Sequence, residues 1–157
     1  MSTNNEKTIA VLNDLVKINH DRVEGYQRAK EEVDPANFDL MNVFHKMMEQ
    51  SNNYIGDLGA LVIKYGGTTA TDATIMGAIY RGWMDLKAAF STDDRKNVLK
   101  SCEFGEDAAQ KAYRLALQAD ELGEEARSLI AVQKNSLKDS HDLIKAMRDR
   151  EMADAAH

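Results

Sequence analysis

Three observations predict an all-α protein, a four-helix bundle made of two antiparallel hairpins joined by a long crossover that contains a short helix. The 157-residue chain holds one Pro and nine Gly. Its other residues are rich in Ala, Leu, Met, Glu, Lys and Gln, the strong helix formers. Four long stretches repeat apolar residues at helical spacing. The breaks between those stretches are short, long and short, and that pattern sets the topology. The length suffices for one domain with a real core, so residues 1–157 are read as a single domain.

The first helix is expected over about 4–33. Thr3 and Glu6 fit a capping box at its start. Its stripe is Leu12, Val16, Asn19, Val23, Tyr26 and Val33, with Leu15 and Ala29 alongside. Asp34-Pro35 ends it and opens the second helix, about 35–65, because Asp caps and Pro suits a first turn. Met41, Phe44, Met48, Ser51, Ile55, Leu58 and Val62 form the second stripe, and Gly66-Gly67 stops the helix. A small-residue loop, GGTTATDA, leads to a crossover helix at about 74–90 with stripe Ile75, Ile79, Trp83, Leu86 and Phe90. Its 17 residues reach roughly 25 Å at ~1.5 Å each, enough to cross much of the bundle. Trp83 is read as its anchor. Ser91 with Asp94 marks the next cap, before a third long helix at about 92–118. Gly123 turns the chain into the fourth, about 124–150, striped by Ala126, Ile130, Gln133, Leu137, Ser140, Ile144 and Met147. The tail beyond Arg150 is expected to fray.

The charge of −6 and pI near 5.2 argue against nonspecific nucleic-acid binding, which needs a basic surface, and against an anionic membrane. A lone Cys102 cannot form an internal disulfide and suits a reducing compartment. MSTNNEKT lacks the basic-then-apolar pattern of a signal peptide, and no apolar run is long enough to span a bilayer. These readings predict a soluble, cytoplasmic protein without a transmembrane segment. No Gly-rich phosphate loop, zinc spacing or Ser/His/Asp signature is present.

Each long helix breaks its stripe near the middle: Asn19, Ser51 with Asn52, Glu106, and Ser140 with His141. At similar depth these would make one buried polar layer, where bundles build ligand and metal sites or a hydrogen-bond network that sets register. Glu106 carries the question. A carboxylate on a buried face is costly unless paired, hydrogen-bonded or bound to metal. It is either a ligand or acid/base group surrounded by His141, Asn19 and Asn52, or the acceptor of a buried pair with Lys138, Arg22 or His141. Cys102, one turn earlier, reads as a small buried apolar residue. His20 and His45 fall outside the layer. Met41, Met47, Met48 and Phe44 crowd the second helix, and Met47 and Met48 cannot share one narrow stripe, so part of the cluster suggests a homodimer contact. A weak repeat relates the two hairpins: Tyr follows both Asn19 and Glu106 by seven residues, and Ala by ten.

LNDLVKINHDRVEGYQRA, AIYRGWMDLKAAF, CEFGEDAAQKAYRLAL and HDLIKAMRD carry a resemblance over almost the whole chain. The sequence resembles a bacterial family of ferritin-like four-helix-bundle proteins whose domain has no established function, distant relatives of the ferritin and rubrerythrin superfamily. The resemblance implies the bundle fold with one long crossover. It also implies a comparison with the superfamily's di-iron centre, which uses one Glu on each of two helices and Glu-x-x-His on the other two. Glu106 matches one lone Glu, and its partner falls on Asn19. One Glu-x-x-His falls at Glu49-Gln50-Ser51-Asn52, with Asn for His; the other falls at Lys138-x-x-His141, with Lys for Glu. Glu106, His141 and Glu49 are therefore what the pattern leaves for a metal. The standard centre is expected to be lost, with no cofactor; iron or manganese at a reduced site is the alternative. The expected role is binding, to an unknown protein partner or a small ligand, or a stress-associated one, rather than catalysis; the alternative is a metal-dependent oxidoreductase with a reduced ferritin-like site.

Overall fold

A computed structural model describes residues 3–70 and 95–155. Four helices account for nearly all of them: α1 (Thr3–Glu32), α2 (Phe38–Lys64), α3 (Arg95–Leu117) and α4 (Glu124–Ala155). The expected crossover helix, Trp83 and the Ser91/Asp94 cap lie outside the described residues.

Side-chain pairings give the helix directions. Lys7 near the start of α1 pairs with Glu121 just past α3 at 3.1 Å, and Arg22 pairs with Glu106 mid-helix, so α1 and α3 are antiparallel. Lys64 at the end of α2 meets Glu125 at the start of α4, 2.8 Å apart, and Gln50 meets Ser140 further along. Those two helices are antiparallel as well. Arg95, opening α3, pairs with Asp39, opening α2, at 2.8 Å, so α2 and α3 run parallel. The chain therefore leaves α2 at one end of the bundle and re-enters at the other, as the long break in the sequence predicts.

Helix ends follow local chemistry. The second helix begins at Phe38, not Pro35. Asp34 Oδ1 accepts from the Ala36 N–H at 2.8 Å, and Asp34 O accepts from the Asn37 N–H at 2.9 Å. Asp34 thus closes a tight turn on itself, which competes with capping. At the other end Gly66 takes φ 95°. Gly67 N–H donates to Val62 O and Gly66 N–H to Ile63 O, both at 2.9 Å. This paired bonding satisfies the last carbonyls and requires the left-handed residue that glycine supplies. The last turn of α3 is closed by Arg127, which donates to Leu117 O at 2.8 Å and Ala119 O at 3.0 Å. The expected fraying after Arg150 is not seen, since α4 continues to Ala155.

The core has two apolar regions. One, toward the α1 start and the α3–α4 turn, packs Leu12, Leu15, Leu58, Val62, Ile130 and Leu137. The other packs Tyr26, Phe44, Met47, Leu99, Cys102 and Ile144. On α2 the buried stripe is Leu40, Phe44, Met47, Ser51 and Leu58; Met41 and Met48 are only partly buried. Phe44, Ser51, Leu58 and Val62 are buried as expected, while Leu40 and Met47 take the places expected for their neighbours Met41 and Met48.

Candidate functional site

Between the two apolar regions lies a polar layer with an arginine at its centre. Arg22 and Glu106 are each 1% exposed. Arg22 Nε donates to Glu106 Oε2 at 2.9 Å and Nη2 to Oε1 at 2.8 Å, a bidentate pair. Nη1 donates to Ser51 Oγ at 2.8 Å and to the Met47 carbonyl at 3.2 Å, while Nη2 also reaches Met47 Sδ at 3.2 Å. The guanidinium lies over the Tyr26 ring at 5.3 Å. Burial alone would lower the Arg22 pKa, but the charge and hydrogen bonds of Glu106 outweigh it, and the pKa rises.

The network continues sideways. Ser51 Oγ donates to Asn19 Oδ1 at 2.9 Å. Asn19 Nδ2 donates to Leu15 O at 2.9 Å and to Tyr113 Oη at 2.8 Å. Tyr113 Oη donates to Gln133 Oε1 at 2.6 Å. All four helices contribute, and each buried residue is held by at least one other. The weak repeat acquires a meaning here. Tyr113 of α3 bonds Asn19 of α1, while Tyr26 of α1 is pushed up in pKa by burial and then by Glu106 of α3. Each tyrosine addresses the polar residue of the opposite hairpin.

Asn19, Ser51 and Glu106 are thus brought together, and the other expected members are not. Asn52 is exposed; with Ser51 facing inward, the next residue turns about 100° away. Ser140 is buried at the α2–α4 seam, where it donates to Gln50 Oε1 at 3.1 Å and Ser136 O at 3.3 Å, away from Arg22. Gln133, two turns earlier, is the α4 member of the layer. His141 sits on the outer α3–α4 seam, Nε2 2.6 Å from Asp107 Oδ1 and Nδ1 3.2 Å from Asp142 Oδ1. Glu49 is 68% exposed beside His45. Lys138 is exposed and pairs with Asp142 at 2.9 Å. Glu49, Glu106 and His141 therefore share no site. Cys102 is buried, and burial, then Glu106, raises its thiol pKa well above the ordinary value, which makes it a poor nucleophile.

The sequence reading offered Arg22 as one of three partners for Glu106 but left it off the α1 stripe. The signal was its position: Asn19, Arg22 and Tyr26 occupy successive turns of one face. Gln133 and Tyr113 were on their stripes without being read as polar members.

The hydrogen-bonded layer holds one carboxylate, that of Glu106. Its one acid is occupied by a cation that belongs to the protein. Chemically it is a lock at the ion pair, where each charge is met within the protein, while Gln133 keeps a buried Nε2 with no hydrogen-bond partner among the described residues.

No curated protein matches the chain. Residues 7–119 match the model of a family described as a domain of unknown function, DUF2383. The match takes in Asn19, Arg22, Ser51, Glu106 and Tyr113, and stops before Gln133 and His141. With well over half its residues inside that match, the chain belongs to the DUF2383 family.

Proposed function

We propose that this chain is a ferritin-like bundle in which a guanidinium takes the place of a metal, and that it works by binding rather than by redox chemistry in its core. The observation that carries the reading is the bidentate, fully buried Arg22–Glu106 pair. A fixed positive charge against the single carboxylate of the layer opposes a divalent ion there. Up-down-down-up helix order, with the layer at mid-bundle, supports the ferritin-like part of the proposal. Exposed apolar side chains support the binding part: Phe104 and Leu115 lie about three turns apart on one face of α3, as do Val132 and Leu143 on α4.

Metal content tests the core reading. Tag-free protein is loaded anaerobically with Fe(II) and, separately, Mn(II), then dialysed, beside Glu106→Gln. The expected result is the same content in both proteins and no oxygen uptake on adding Fe(II). One or two ions per chain that disappear in Glu106→Gln would establish the oxidoreductase alternative. Self-association is the nearest case of binding. Sedimentation velocity is expected to show a concentration-dependent dimer weakened by Phe104→Ser; a monomer at every concentration removes the homodimer.

A further inference from the structure

We propose that Glu103, Asp107 and His141 form a divalent transition-metal site on the outer seam between α3 and α4. The proposal stands apart from the buried layer and does not depend on the binding reading. Glu103 and Asp107 are one turn apart on α3, and His141 faces them from α4. One ligand atom from each lies within 4.8 Å of the other two. An imidazole nitrogen and two carboxylate oxygens suit Zn(II), Mn(II) or Fe(II), and their two negative charges balance the ion.

Two features favour metal over an ordinary surface cluster. His141 is oriented from behind: Nδ1 lies 3.2 Å from Asp142 Oδ1, and Asp142 is itself held by Lys138 at 2.9 Å. With a carboxylate behind Nδ1, the ring presents Nε2 to the seam, 2.6 Å from Asp107 Oδ1, the carboxylate–histidine arrangement that orients imidazole ligands at metal sites. Room is also present. A shallow pocket of about 230 Å³, lined by Lys100, Glu103, Phe104, Asp107 and Arg148, opens onto the carboxylates and can hold the waters that complete coordination. Arg148 is the competitor, with Nη1 2.7 Å from Glu103 Oε2. It also donates to Asp149 through Nη2 at 2.7 Å and Nε at 3.2 Å, so it keeps a partner when Glu103 turns to the ion.

Tag-free, chelator-treated protein is dialysed against Zn(II) and, separately, Mn(II), and bound ion is counted by mass spectrometry. The expected result is one ion per chain. Affinity should fall at least ~10-fold in His141→Ala and in Asp107→Asn, and hold in Glu106→Gln. Arg148→Ala should tighten binding, a gain that loss of structure does not mimic; circular dichroism checks that each variant stays helical. Absence of a retained ion overturns the proposal, as does binding that His141→Ala and Asp107→Asn both leave unchanged. An ion lost only in Glu106→Gln overturns it too and brings down the core reading with it.

Discussion

Glu106 and Asp107 are neighbours in sequence and lie in opposite environments. Glu106 is 1% exposed and locked to Arg22; Asp107 is 62% exposed and meets His141 across a seam. Both are carboxylates on α3 facing a basic group on another helix. Inside, water cannot stabilise either charge, so the pair must be complete within the protein and is costly to break. Outside, water screens the pair, its contribution to stability is small, and the groups stay free to exchange partners. The first arrangement specifies the fold, and the second leaves chemistry open.

The comparison can be broken most directly at the centre. Glu106→Leu strands the Arg22 guanidinium and should destabilise the protein by about 3–5 kcal/mol, read by chemical denaturation. A loss under about 1 kcal/mol would show that the guanidinium finds other partners or water. Replacing both, Arg22→Met with Glu106→Leu, should recover most of that loss, because apolar groups of similar volume fill the space without a lone charge. Failure to recover would mean that the network around the pair, not the charge, carries the cost.

A milder test lies one step from the pair. Tyr113→Phe removes the acceptor for Asn19 and the donor for Gln133 while keeping the ring. About 1–3 kcal/mol should be lost, the usual cost of leaving buried polar groups unsatisfied. Asn19 keeps its bond to Leu15 O, so the effect should stay below that of Glu106→Leu.

The smallest effect belongs to a surface pair. Hydrogen bonds from Arg95 hold the Asp39 carboxyl down at about 2 against an ordinary 3.8. A group depressed in the folded state stabilises above its ordinary value and loses that contribution as pH falls through the folded one. Arg95→Ala should therefore cost under about 1 kcal/mol at neutral pH. The part due to Asp39 should shrink between pH 3.8 and 2, in denaturation midpoints measured across that range. A cost independent of pH would assign the role of Arg95 to its bond with the neutral Asn37 amide.

The four long helices, their order and the stop at Gly66-Gly67 were legible in the sequence because they depend on local terms: periodicity, breakers and the glycine that closes α2. The unequal breaks also pointed to the up-down-down-up path, since a short link can only make a hairpin. Glu106 was legible as a problem, a charge on a buried stripe. Its answer was not, because Arg22, Lys138 and His141 all lie at suitable depths along their helices. Only the rotation of each helix about its axis decides which of them faces inward. Tertiary packing turned Arg22 and Gln133 into the layer, and left Lys138 and His141 on the outside. Packing likewise placed His141 opposite Glu103 and Asp107, which no spacing along one chain can show, since the two helices bring them together from 34 residues apart or more.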